Sequence, residues 1–184
     1  VTSDGNSVNG LALIGHSKFL GNGGDGLTAL AALGIGVNDS IFAGNGGNGL
    51  TALSLGDIYL NDSGFFRNKG TGASAMSLLG NIGVDPSIFA GNGGNGVTAL
   101  ALMGDIYLED SGFYRNGGDG ASAISVVGGV GVDDSAFAGN GGNGLTALSL
   151  GDINLEDSGF YRNGGDGAAI VSLLGSLDVE GDNF

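Results

Sequence analysis

Apolar residues in this chain come in short alternating bursts rather than helical stripes. Ile58-Tyr59-Leu60 and Ile106-Tyr107-Leu108 alternate at a period of two, and β-branched and aromatic residues are frequent. Within each stretch of about two dozen residues three such bursts follow one another, as in LTALSL, DIYL and SIFA, with glycine, aspartate or asparagine between them. The pattern predicts three short strands per unit and no helix. The units then repeat. Phe19, Phe42, Phe65, Phe89, Phe113, Phe137, Phe160 and Phe184 form one column at a step of 23 or 24 residues. A Ser column (Ser17, Ser40, Ser63, Ser87, Ser111, Ser135, Ser158) and an Asn column (Asn22, Asn45, Asn68, Asn92, Asn116, Asn140, Asn163) keep the same step.

A fixed period in the twenties identifies a solenoid, because one unit cannot bury its apolar face except against the next. At about 3.3 Å per strand residue, two dozen residues close one three-faced turn, and stacking brings equivalent residues to about 4.8 Å. The chain is therefore expected to be an all-β, single-domain, three-faced parallel β-helix of about seven coils. Its array runs over residues 1–184: an incomplete first coil at 1–16, regular coils over 17–181 and the start of a further coil at 182–184. Tyr59 and Tyr107 standing next to Gly36, Gly83 and Gly131 in neighbouring units reveal a two-coil super-repeat of 47–48 residues. The Asn side chains, stacked at an inward turn, are expected to form a ladder of amides, with the glycines that follow supplying left-handed turn conformations.

The Phe-x-x-Asn element followed by a glycine cluster and a small-residue strand, as in FAGNGGNGLTAL from Phe42 and FYRNGGDGASAI from Phe113, resembles the repeats of right-handed parallel β-helix proteins. It is similar above all to polymorphic outer-membrane protein and adhesin passenger repeats. Those repeats carry GGAI after the Asn, where this chain has GGNGLTAL or GGDGASAI. The resemblance covers nearly the whole chain, and it implies a right-handed coil and a secreted or cell-surface location.

Alternation divides the outward from the inward positions. Ile35, Ile58, Ile82, Ile106, Val130, Ile153 and Leu177 should face the core, with Val37, Leu60, Val84, Leu108, Val132, Leu155 and Val179 two residues on. In the strand after the glycine cluster both alternating sets are uncharged. Burying a large aliphatic side chain contributes roughly 1.5–3 kcal/mol, so the Leu, Met, Ile and Val set is expected inside. That leaves Ala52, Ser54, Ala75, Ser77, Ala99, Ala101, Ala123, Ser125, Ala147 and Ser149 as a flat outward face. A sheet face without charge invites association, and lateral self-association through it is expected, with end-to-end stacking of coils as a second route.

Composition narrows the function classes. There are 42 glycines, one proline, no cysteine and a net charge of −14. Such acidity repels nucleic acid and anionic membranes, so neither nucleic-acid binding nor membrane insertion is expected. Stacked carboxylates at the turn before the Ser column repel one another, and Glu109, Asp110, Asp133 and Asp134 form the cluster best suited to calcium, a hard cation with oxygen ligands. No other cofactor is implied. GNGGDG lacks the nine-residue period of calcium-binding nonapeptide repeats, and no G-K-[ST] follows the glycines as a phosphate loop requires. Phe66, Tyr114 and Tyr161, each followed by an Arg, recur two coils apart and could stack sugar rings, the Arg otherwise pairing with a carboxylate. The single histidine, His16, reads as a solvated turn residue. With no local exception to the repeat that could carry tuned catalytic groups, the chain is not expected to be an enzyme. The reading is an acidic, glycine-rich tandem repeat serving as a structural or adhesive module of an extracellular fibre, filament, matrix or surface protein. The alternative is a calcium-dependent glycan-binding adhesin; an ice-binding protein or a polysaccharide-degrading enzyme ranks below both.

Overall fold

The computed structural model describes residues 6–8 and 10–184; residues 1–5 and 9, part of the expected incomplete first coil, lie outside the described residues. Among the described residues twenty-three strands stack into three parallel sheets, and the chain winds through them as a right-handed β-solenoid of about seven turns. The first sheet holds eight strands, among them Leu50–Ser54, Ala73–Ser77, Val97–Ala101 and Ala121–Ser125. The second also holds eight, including Asp57–Asn61, Ile82–Asp85 and Ile106–Glu109. The third has seven short strands, such as Gly64–Phe66, Ile88–Ala90 and Gly112–Tyr114. Pairing is in register with the sequence period throughout: Phe65 lies on Phe89 and Phe89 on Phe113.

Stacking turns each column into a continuous feature. The eight phenylalanines form one rod of rings 4.7–5.1 Å apart and within 10° of parallel. An isolated aromatic pair prefers an offset or edge-on arrangement, but here the strand spacing sets the separation and the rings follow it. The second-sheet columns, from Ile35 and Val37 to Ile153 and Leu155, are buried as expected. Leu177 and Val179, in the last coil, are 50% and 44% exposed.

The Asn column is hydrogen-bonded as a ladder. Each carboxamide nitrogen donates to the Oδ1 of the next Asn at 2.8–3.0 Å. That same Oδ1 accepts the backbone N–H of the earlier Asn at 3.0–3.1 Å. The second amide hydrogen reaches back to the carbonyl of a Phe in the preceding coil at 3.0–3.1 Å. Asn45, Asn68, Asn92, Asn116 and Asn140 are buried, so these bonds satisfy groups that water cannot reach.

The other corners are laced by side-chain oxygens. Between the second and third sheets each Ser backbone N–H donates to the hydroxyl of the next Ser at 3.0–3.2 Å. Past the glycine cluster, Asp25, Asn48, Asn95, Asp119 and Asn143 accept the N–H of their equivalents in the following coil. Between the first and second sheets Asp57, Asn81, Asp105 and Asp152 do the same.

The first sheet reverses one expectation. Ala52, Ala75, Ala99, Ala101, Ala123 and Ala147, with Ser54, Ser77, Ser125 and Ser149, are at most 3% exposed and face the core. Leu30, Leu53, Met76 and Leu148 face out. The cause is volume. The phenylalanine rod, the two second-sheet aliphatic columns and the column that opens each first-sheet strand, with Leu27, Leu50, Val97 and Leu145, already fill a cross-section closed by two dozen residues, and larger side chains forced into a packed core cost about 1–3 kcal/mol each. The inward hydroxyls are satisfied: Ser77, Ser125 and Ser149 donate to the carbonyls of Gly56, Gly104 and Gly128 at 2.6–2.9 Å. Ala and Ser therefore do not form the outer association face.

Asn92→Ala should lower the unfolding free energy by about 3 kcal/mol, because it strands the N–H groups of Asn68 and the carbonyl of Phe65 in the core. Urea denaturation followed by circular dichroism measures this, and an unchanged midpoint would contradict the ladder's importance.

Candidate functional site

The corner after the third sheet requires a left-handed backbone. Gly44, Gly91 and Gly139 adopt it at φ 66–68°, and in the alternate coils Arg67, Arg115 and Arg162 adopt it at φ 52–54°. A residue with a β-carbon pays of order 1 kcal/mol for this conformation where glycine does not. Immediately before these positions stand Ala43, Phe66, Ala90, Tyr114, Ala138 and Tyr161, in register from coil to coil. Together they line an open groove of about 1320 Å³ along the rod.

The aromatic rings lie in the groove in a particular way. A β-carbon on Gly64 would stand 2.2 Å from the ring of Phe66, and one on Gly112 would stand 2.3 Å from that of Tyr114. Each ring thus folds back over the glycine two residues earlier in its own strand; the coils between carry Ile41, Ile88 or Ala136 at that place. On the second sheet, by contrast, Tyr59 covers Gly83 and Tyr107 covers Gly131, each in the following coil. Tyr107 also donates to Asp105 at 3.0 Å, and partial burial first, then that carboxylate, holds its hydroxyl above the usual tyrosine pKa. Arg67 and Arg115 lean along the rod, their Cγ atoms 3.6 and 3.5 Å from the place of a β-carbon on Gly91 and Gly139. The pairing of these Arg with carboxylates does not occur: the one ion pair among the described residues joins His16 to Asp39 at 3.5 Å.

The acidic corner is built on left-handed turns. Asp39, Asp62, Asp110, Asp134 and Asp157 sit at φ 45–49°, a region short polar side chains tolerate, and His16 occupies the same position at φ 49°. Glu109, Asp110, Asp133 and Asp134, expected to hold calcium, are all exposed, and among the described residues no three acidic or histidine side chains converge as a metal site requires. Glu109 and Asp133 are in register along a strand while Asp110 and Asp134 occupy the turn, so the four form two parallel columns and no cage. Neighbouring Asp133 pushes the Asp134 carboxyl above its ordinary value, with desolvation, Asp110 and Asp157 adding to it.

Fold and surface define this chain as a right-handed parallel β-helix with a lengthwise groove. No protein-family model matches it, and no curated protein does. Among solved structures it is similar to the A-module of mannuronan C-5 epimerase AlgE4 from Azotobacter vinelandii, at 13% identity and a TM-score of 0.60. The match covers 95% of this chain and 57% of that one, so this chain spans less than two thirds of the module. The AlgE6 A-module of the same organism is matched at 12% identity and a TM-score of 0.40, over 84% of this chain and 59% of that one. The likeness establishes the fold. It also corrects the expectation of a non-enzyme, since the A-module of one epimerase shares the architecture. Regularity is weak ground for excluding catalysis, because side chains from adjacent coils meet on one face even when each obeys the repeat.

The raised pKa of Asp134 has a definite sign. The stability this group contributes is present below its unfolded pKa and is lost as pH rises through the higher folded value. Asp134→Asn keeps a residue at ease in the left-handed turn and removes the repulsion. It should raise the melting temperature slightly at neutral pH and low salt, with the gain vanishing at acid pH or in molar salt, as differential scanning fluorimetry would register.

Proposed function

We propose that this chain is a structural module of an extracellular or cell-surface assembly, in which β-helices associate side by side through the outer face of the first sheet. One observation carries the reading: a stripe without a single charge runs the length of the rod. Leu30, Leu53, Met76, Leu148 and Val171 stand exposed along its centre, and Leu33, Leu79, Met103 and Leu174 form a prouder ridge at the corner, at 60–83% exposure. The opposite margin is a lower column of Thr28, Thr51, Ser74, Thr98, Ser122 and Thr146, beyond which the corner carboxylates of Asp25 and Asp119 accept from Thr51 and Thr146.

The occupant this face suits is a second copy. A two-fold axis along the rod lays the ridge of one copy over the Thr and Ser column of the other, an isologous contact in which coils match coils at the common rise of about 4.8 Å. Eight strands span about 34 Å, and strand plus corner measure about 20 Å across. The face thus offers on the order of 700 Å² per partner, in the size class of stable interfaces. A contiguous uncharged, largely apolar face of this size marks an association surface. The acidic corners, which stay hydrated in salty surroundings, support the extracellular setting.

Sedimentation velocity tests the proposal. The wild-type chain should sediment as a dimer or larger species, and Met76→Lys with Leu148→Lys should shift it to monomer while the circular dichroism spectrum stays the same. Ala147→Lys, directed into the core, should instead unfold the chain. A wild-type chain that is monomeric at high micromolar concentration, or surface variants that assemble unchanged, would refute lateral association.

A further inference from the structure

We infer that the groove along the third sheet binds an acidic polysaccharide, its guanidinium groups taking the carboxylates of a uronate chain and its rings stacking on the sugars. Charge placement is the first ground. The chain has five Lys and Arg against nineteen acids, yet all five cations lie on the third sheet or the turn that follows it: Lys18, Arg67, Lys69, Arg115 and Arg162. No third-sheet strand contains an acid. The three Arg line the groove and make no ion pair among the described residues.

Backbone conformation is the second ground, independent of the first. Gly44, Gly91 and Gly139 show what the left-handed corner accepts without strain, and in three alternate coils the chain places Arg there instead. Among the described residues no hydrogen bond or ion pair uses the guanidinium, and the backbone bonds of this corner are the same with either residue: Gly91 N–H donates to Tyr114 at 2.9 Å and Arg115 N–H to Ala138 at 2.9 Å. Strain retained at a repeated position without a structural return points to a ligand.

Spacing selects the ligand. Phe66, Tyr114 and Tyr161 recur every second coil, about 10 Å apart, and each has its Arg beside it. Two rings of an extended 1,4-linked pyranose chain cover a comparable length, so a polyuronate presents a sugar face to each aromatic and a carboxylate to each Arg. The intervening Ala43, Ala90 and Ala138 leave the groove floor low enough for the chain to lie along it. This inference concerns a different face from the association stripe and stands without it.

The experiment uses the whole chain and oligogalacturonate, with neutral cello-oligosaccharide of the same length and oligodeoxythymidylate as comparators, by isothermal titration calorimetry. Oligogalacturonate should bind about tenfold or more tightly than the neutral oligomer, with affinity falling as salt rises. Arg67→Gly, Arg115→Gly and Arg162→Gly together should abolish that preference while leaving the melting temperature equal or higher, because glycine is the residue the alternate coils use. Tyr114→Ala with Tyr161→Ala should weaken binding several-fold with the salt dependence kept. Equal binding of acidic and neutral oligomers, absence of binding, tighter binding of the oligonucleotide, or full binding by the triple glycine variant would each overturn the inference. So would a large fall in melting temperature of that variant, which would make the Arg structural.

Discussion

The asparagine ladder is the constraint on which the rest of this molecule depends. Each carboxamide bonds forward to the next Asn and backward to a Phe carbonyl, so every buried member needs equivalent neighbours on both sides. A coil shifted by one residue would strand several buried polar groups at roughly 1–3 kcal/mol each. The ladder therefore locks the register of the sheets beside it, and the phenylalanine rod and aliphatic columns inherit their alignment. Variation is confined to where the ladder does not reach. The period is 23 residues in some coils and 24 in others, and the additional residue sits at the corner between the first and second sheets, as in Leu78-Leu79 against the single Leu55. That corner points outward, carries no core column and absorbs the insertion as an exposed apolar ridge.

The same logic explains what could be read from the sequence. The phenylalanine and asparagine columns recur without exception, the serine column runs from Ser17 to Ser158 before Asp182 takes its place, and the second-sheet strands pair large apolar with small or polar positions, so their inward sides were plain. The first-sheet strand was not, because both of its alternating sets are uncharged and burial energy alone favours the larger one. The decision lay in volume, which depends on what the other two sheets have already placed inside. A signal for it existed: Ala29, Ala52, Ala75, Ala99, Ala123 and Ala147 hold one residue through six successive coils, with Ile170 only in the last, whereas the alternate column wanders among Leu, Met, Ile and Val.

Much of the acidity, too, has a local explanation that composition did not convey. Asp25, Asp57, Asp105, Asp119 and Asp152 accept backbone N–H groups at corners, and Asp39, Asp62, Asp110, Asp134 and Asp157 occupy left-handed turns. These ten of the nineteen carboxylates serve the turns one at a time. The left-handed positions could not be recognised from residue type alone, since one corner uses Asp and the other alternates Gly with Arg. Only the backbone shows that Arg67, Arg115 and Arg162 hold a conformation their neighbours assign to glycine.

Two sheets share the small–large alternation of outward residues, yet only one of them becomes a groove, and the direction of the rings accounts for it. On the second sheet Tyr59 and Tyr107 lean along the rod and cover Gly83 and Gly131, so each large residue fills the gap left by the small one and the face is levelled. On the third sheet Phe66, Tyr114 and Tyr161 turn back along their own strands over Gly64, Gly112 and Gly159, and the places above Ala43, Ala90 and Ala138 stay open. Glycine two residues before the ring is what permits this, because a β-carbon there would collide with it. The pairing of that glycine with an aromatic and a left-handed Arg, three times in alternate coils, converts a regular wall into a lengthwise channel whose chemistry repeats every second turn.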